Sequence, residues 1–202
     1  MTLNESEAVA ALEAGEVVAI PTDTVYGLAV HLGLPAASKR LFSVKGRPES
    51  VALPVLVADV SAAQLLGVLD ADALALADRY WPGALTVVVP RRPAAGSLDL
   101  GGDPAAIGLR CPANSATLGL LERTGPLAVT SANLHGEPPC RSAEEVLAVF
   151  GAAARVIDGG ECRGEPSTVV SLGPAGMKCL RVGAISMSEL QMVLRAQSGE
   201  TS

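Results

Sequence analysis

Short β-branched runs alternating with amphipathic stretches constrain this chain more than any other feature. Residues 85–89 read LTVVV, and residues 16–20, 27–31, 53–58, 105–109, 127–129, 155–157 and 168–172 are comparable apolar runs. Such runs lack polar alternation, so they predict strands covered on both faces. The segments between them carry helix punctuation. Asn4 with Glu7 has the pattern of a capping box before a helix over 8–14 that Gly15 stops. Pro35 opens a helix carrying Lys39, Arg40, Leu41, Phe42 and Val44, which must end before Gly46 and Pro48. Asp59 caps a stretch reaching Leu69, and residues 70–80 form another helix ended by Pro82 and Gly83. Helices over 116–123, 142–150 and 186–195 complete the pattern. Strands alternating with helices predict an α/β sheet with helices on its faces. No stretch is rich enough in Gly, Ser or Pro to be a linker, so a single domain over residues 1–202 is expected. Residues 90–104 are the least patterned and read as a mobile loop.

Composition narrows the class. Hydrophobic residues make up 49% of the 202 residues but aromatics only 2%, so a sizeable core must be filled by Ala, Val, Leu and Ile. The net charge of −6 excludes a protein whose whole surface grips nucleic acid. Cys111, Cys140, Cys162 and Cys179 form no C-x-x-C pair and have no histidine at metal-ligand spacing; they read as reduced thiols packed as small hydrophobes. The first sixteen residues carry acids and no basic segment, and no apolar run approaches the ~20 residues of a membrane span. A soluble, cytoplasmic protein without membrane contact is expected.

The polar residues gather where the apolar runs end. PTDTVYG follows the first, LRCP follows the run at 105–109, VTSAN spans residues 129–133, and EPSTVV spans 165–170. A single such block is commonly a turn or a helix cap, but four in one α/β chain point to a crevice at strand ends, the usual ligand position. Cations lie near them. Lys39 and Arg40 read as a solvated helix face, whereas Lys45 and Arg47 sit at the helix exit and can converge on one ligand. Arg110 and Arg181 stand in apolar settings and need an anionic partner, either a structural carboxylate or a bound phosphate. The chain has no P-loop, no G-x-G-x-x-G and no G-x-S-x-G, and its two histidines fit no triad or zinc motif. Chemistry without a protein nucleophile is expected.

PTDTVYGL, KGRP, WPGALTVVV, GLRCP, TSANLHGEPP, IDGG and PSTVV, in this order and spacing, resemble the YrdC-type threonylcarbamoyl-AMP synthases, over roughly residues 8 to 190. The resemblance implies a twisted, mixed open sheet around a deep basic cavity, in the short single-domain form. It implies that L-threonine, bicarbonate or CO2, and ATP accompanied by Mg2+ give threonylcarbamoyl-AMP and pyrophosphate. Other proteins then transfer the threonylcarbamoyl group to tRNA, forming N6-threonylcarbamoyladenosine. Carried over by position, Thr22, Arg110, Thr130 and Ser167 match threonine contacts. Lys45 and Arg47 match the K-x-R pair facing the phosphates, and these two carry the catalytic expectation. Ser131 and Asn133 match the S-x-N block, and with Arg181 they are expected on the ATP side; no resident metal site is implied. Two positions depart from the pattern: Val57 stands where some members have a histidine, and Pro139 where some have a serine. Two other readings compete: an RNA-binding module using the same basic hollow for tRNA or structured RNA, and a carbamoyl-adenylate domain of the kind found within larger carbamoyltransferases. Weak RNA binding that falls steeply with salt fits the synthase and the module alike.

Overall fold

The computed structural model describes residues 2–173 and 176–198. Its elements run β1 (Thr2–Leu3), α1 (Glu5–Glu13), β2 (Val18–Ile20), β3 (Gly27–His31), α2 (Pro35–Lys45), β4 (Val55–Leu56), α3 (Val60–Leu66), α4 (Ala71–Tyr80), β5 (Leu85–Pro90), β6 (Ala106–Arg110), α5 (Ser115–Thr124), β7 (Leu127–Ser131), α6 (Ala143–Phe150), β8 (Arg155–Ile157), β9 (Thr168–Gly173), β10 (Gly176–Arg181) and α7 (Met187–Ser198). The helix starts follow from their caps. Asn4 and Glu7 form a reciprocal capping box, and Asp59, Asp70, Asn114 and Ser142 each accept from a backbone N–H in the first turn. Helix α3 stops at Leu66, short of the expected Leu69, because Gly67 turns into a bridge with Arg91 and packs where a Cβ would lie 2.6 Å from Val89.

The strands form one mixed sheet in the order β1-β8-β2-β3-β7-β4-β6-β5-β9-β10. Strand β4 keeps only two of the six residues expected at 53–58. Strand β10 falls on a segment with no apolar run; it pairs antiparallel with β9 at the sheet edge, with Met177 and Cys179 half-buried between exposed neighbours.

Side-chain alternation sends the strands into two cores. Ala19, Leu28, Val30, Val55 and Ala128 point into the larger core. Val18, Ile20, Ala29, Leu56, Leu127 and Val129 point to the opposite face, where α1 and α5 cover them. In the other half of the sheet the first face stays covered, by Leu85, Val87, Val89, Ile107, Leu109, Val170 and Leu172. The second face there is not part of the core under α1 and α5; its Thr86, Val88, Ala106 and Gly108 line a cavity instead. The run at residues 85–89, expected to be buried on both sides, is thus covered by core on one side and forms a cavity floor on the other.

Residues 90–104, expected to be a mobile loop, are pinned instead. Leu53 N donates to Leu100 O at 2.8 Å and Gly102 N to Glu49 O at 2.8 Å, while Arg91 donates to Leu98 O and Ala106 O. Leu100 and Ala95 are buried. The physical reason is that Leu100 joins the larger core and the turn at residues 93–95 packs against α3, attachments not visible in a segment without periodicity.

Candidate functional site

The second face in that half of the sheet floors a cavity of about 600 Å³, well within the range of small-molecule sites. Strand β6 shows how the sequence makes room: Ile107 and Leu109 go to the core, and Ala106, Gly108 and Arg110 face the cavity, two small residues followed by a cation. Strand β5 contributes Thr86 and Val88, and β7 contributes Val129 and Ser131. One wall is the loop after β2, with Thr22 and Thr24; another is the loop after α2, with Arg47, Val51 and Ala52. Gly46 makes that second wall possible. It ends α2 with φ +64°, a conformation glycine adopts without steric cost, and so turns Arg47 back toward the sheet.

Of the nine expected site residues, Thr22, Arg47, Arg110, Thr130, Ser131, Ser167 and Arg181 line this cavity. Lys45 and Asn133 lie behind Ser131. Lys45 is 2% exposed, and its ammonium donates to Ser131 O (2.6 Å), Ser131 Oγ (3.3 Å), Asn133 O (3.1 Å) and Asn133 Oδ1 (2.7 Å). Ser131 Oγ donates to the same Asn133 Oδ1 at 2.6 Å, and Asn133 Nδ2 donates to Leu134 O and Glu137 O. The K-x-R and S-x-N blocks are therefore one hydrogen-bonded unit. Burial, followed by the neighbouring Arg47 charge, lowers the Lys45 pKa to about 8. Pro139 lines the cavity, whereas Val57 is fully buried in the core.

The three arginines differ in how they are neutralised. Arg110 has a carboxylate partner: Nη2 donates to Asp23 Oδ1 at 2.6 Å, while Nη1 donates to Thr24 Oγ1 and Nε to Gly83 O. Arg47 donates only to carbonyls, Val51 O at 2.9 Å and Ala52 O at 2.8 Å. Arg181 donates to Ser167 O and, from Nη2, to Ser167 Oγ at 3.0 Å. Neither Arg47 nor Arg181 forms an ion pair among the described residues. Burial pulls both pKa values down, and Arg181 adds to the effect on Arg47, though a guanidinium stays charged in any case. Of the two partners left open for buried arginine, Arg110 has the structural carboxylate.

Hydroxyls complete the lining. Thr22 Oγ1 is committed to its own turn, donating to Val25 O and accepting from Thr24 N and Val25 N. Thr86 Oγ1 lies 3.0 Å from Ser167 Oγ and extends the Arg181 network along the floor. Tyr26 is fully buried, and its hydroxyl donates to Gly160 O at 2.9 Å and accepts from Gly159 N at 3.1 Å, tying the first wall to the IDGG block. The block PTDTVYG pointed to Asp23, Thr24 and Tyr26 as a group without giving any of them a role, and Thr86 was not singled out. Thr86 did carry a signal: it is the polar residue in the run LTVVV.

Among the described residues there is no cluster of three His, Cys, Asp or Glu able to hold a metal. Asp103 lines the cavity without a second acid beside it in the lining, and Asp23 is engaged by Arg110. No described helix is long and apolar enough to cross a membrane.

Comparison with known proteins agrees with this architecture. The sequence profile of the Sua5/YciO/YrdC family, described as "Telomere recombination", matches residues 10–183. A threonylcarbamoyl-AMP synthase of Bacillus subtilis is 37% identical over 193 residues, covering 94% of this chain and 56% of that protein. A threonylcarbamoyl-AMP synthase of Pyrococcus abyssi is 38% identical over 185 residues, covering 89% of this chain and 54% of that protein. The chain thus spans about half the length of these two relatives. The crystal structure of P. abyssi Sua5 complexed with L-threonine superimposes with a TM-score of 0.88 at 33% identity, covering 100% of this chain and 63% of the other.

Proposed function

Because the chain belongs to the Sua5/YciO/YrdC family, we propose that it makes threonylcarbamoyl-AMP and pyrophosphate from L-threonine, bicarbonate or CO2, and ATP. The observation that carries this reading is the charge pattern of one cavity. Arg47 and Arg181, without carboxylate partners, face the same 600 Å³ space as the neutralised Arg110 and a row of hydroxyls. The first pair suits a polyphosphate, and the neutralised Arg110 with the hydroxyls suits a small amino acid. The threonine-bound structure of the Pyrococcus relative supports the amino-acid assignment.

Two steps follow. The threonine amine attacks CO2, loses a proton and becomes a carbamate. A carbamate oxygen then attacks the α-phosphorus of ATP in line, and the bond to the pyrophosphate oxygen breaks. Neither step needs a covalent enzyme intermediate, so the protein contributes position and charge; holding the reactants in line is worth on the order of 7–11 kcal/mol. Arg47 and Arg181 offset the polyphosphate charge, Ser131 in the same lining is a hydrogen-bonding group for the nucleotide, and Arg110 pairs with the threonine carboxylate. Lys45 acts through Ser131 and Asn133, holding the S-x-N turn against the end of α2. The donor set does not fit a resident metal, so Mg2+ comes with ATP, held by phosphate oxygens and water. The four free thiols suit a cytoplasmic enzyme, and proteins that modify tRNA would receive the product.

An RNA-binding module fits less well. Among the residues lining the cavity the aromatic is Tyr26, which is fully buried and unavailable for stacking, and the half-buried Tyr80 and Trp81 are not in the lining. The test is pyrophosphate release by purified protein with ATP, Mg2+ and bicarbonate, with and without each amino acid. Release that depends on threonine is expected; equal release with every amino acid, or with none, overturns the reading.

A further inference from the structure

Asp23 lies on the loop after β2 and is not among the residues lining the cavity. Its carboxylate approaches Arg110 from behind: Oδ1 accepts from Arg110 Nη2 at 2.6 Å and from Ala113 N at 3.0 Å. The pair is largely desolvated, with side-chain exposures of 8% for Arg110 and 16% for Asp23. Arg110 is fixed on two further sides by Gly83 O and Thr24 Oγ1. A guanidinium has five N–H donors, and these three bonds use one on each nitrogen, leaving two free to meet a ligand. The loop itself is braced: at Gly164 an added Cβ would lie 2.3 Å from Asp23 O and 2.8 Å from Thr24 Cα. Arg47 and Arg181 have no such counter-charge among the described residues.

We propose that Asp23 is a positioning residue that aims the Arg110 guanidinium into the cavity and cancels its charge, so that Arg110 takes one carboxylate weakly while the uncompensated Arg47 and Arg181 take the polyanion. The carboxylate ligand rests on the reading above, in which it belongs to threonine; the aiming of Arg110 does not. The two roles of Asp23 separate chemically. Asn at position 23 keeps an oxygen for Ala113 N and Arg110 but removes the negative charge. Ala removes both the bond and the charge.

The experiment compares wild type, Asp23→Asn and Asp23→Ala. The first readout, independent of any substrate, is the NMR signal of the Arg110 Nε–H and its exchange with water. Slow exchange is expected in wild type and Asp23→Asn, and exchange at least 10-fold faster in Asp23→Ala. The second readout is calorimetric binding of L-threonine and of ATP. Asp23→Asn should bind L-threonine several-fold tighter than wild type, and Asp23→Ala at least 5-fold weaker than Asp23→Asn, with ATP affinity changed less than 2-fold in both. A structural role alone would lower the melting temperature without tightening L-threonine binding in Asp23→Asn. Equal exchange rates in all three proteins, or weaker L-threonine binding by Asp23→Asn, overturns the proposal. Failure of wild type to bind L-threonine overturns the functional reading instead, and the exchange rates still decide the role of Asp23.

Discussion

The Lys45 ammonium and the Asn133 side chain, 88 residues apart, meet at 2.7 Å behind the cavity wall. The ammonium has four neutral acceptors in reach and no carboxylate among its hydrogen-bond partners. Replacing Lys45 by Met removes the charge and a donor shared by four acceptors. Of these, Ser131 O keeps Asn133 N and Asn133 Oδ1 keeps Ser131 Oγ, while Asn133 O and Ser131 Oγ lose this donor. The cost of such buried groups is about 1–3 kcal/mol, or a melting-temperature drop of roughly 2–10 °C in a chain of this size. We expect Lys45→Met to fold while losing at least 100-fold in threonine-dependent pyrophosphate release. Calorimetry and the pyrophosphate assay check the two halves; a folded variant with wild-type activity would remove Lys45 from the mechanism.

The same residue sets a pH dependence. Its pKa in the folded protein is about 8, below the ordinary lysine value, because the ammonium is buried beside Arg47. A base whose folded pKa is lowered makes the unfolded chain hold more protons between the two values, so stability rises with pH across that interval. Wild type should therefore gain stability relative to Lys45→Met between about pH 8 and 10.5, by no more than about 3 kcal/mol. Urea unfolding at pH 7, 9 and 10.5 measures this. Loss of the proton should also weaken the hold on Ser131, so activity should fall above about pH 8 even as the fold tightens.

Arg181 reaches Ser167 through two nitrogens, a geometry that needs the planar fork. Arg181→Lys keeps the charge but not the fork. We expect the KM for ATP to rise at least 10-fold with little change in melting temperature. An unchanged KM for ATP would show that the fork is not needed on the nucleotide side.

Gly164 and Gly159 hold the first wall by close approach: an added Cβ would lie 2.3 Å from Asp23 O at the former and 2.4 Å from Pro21 Cγ at the latter. The backbone oxygen cannot yield as a flexible side chain can. Gly164→Ala should displace the Thr22–Thr24 turn and cost at least 10-fold in kcat/KM for threonine, with ATP binding spared. Steady-state kinetics against both substrates test it.

Local signals accounted for most elements. The caps at Asn4 and Asp59, the proline at 35 and the glycine at 46 act over one turn, so the chain alone signals those helix ends; Asp70 and Ser142, expected inside their helices, are caps in the structure. The apolar runs likewise located most of the strands. Edge strand β10 escaped because covering one face only leaves no continuous apolar run, and the attachment of residues 90–104 escaped because Leu100 packs against residues far away in sequence. The polar blocks at strand ends named five residues that line the cavity, Thr22, Arg110, Thr130, Ser131 and Ser167, since strand ends are where a sheet offers open space; Arg47 and Arg181 came from the pattern of cations instead.

What the chain by itself determined was the α/β class, the approximate position of the helices and the residues worth asking about, because propensity, capping and alternation are short-range. What only the tertiary structure decided was the arrangement of charge. Which half of the sheet floors the cavity, that Lys45 is sealed behind Ser131, and that Asp23 neutralises Arg110 while Arg47 and Arg181 are left with carbonyls all depend on contacts across tens of residues. Electrostatic pairing depends on distance and burial in space, and neither quantity exists until the sheet has formed.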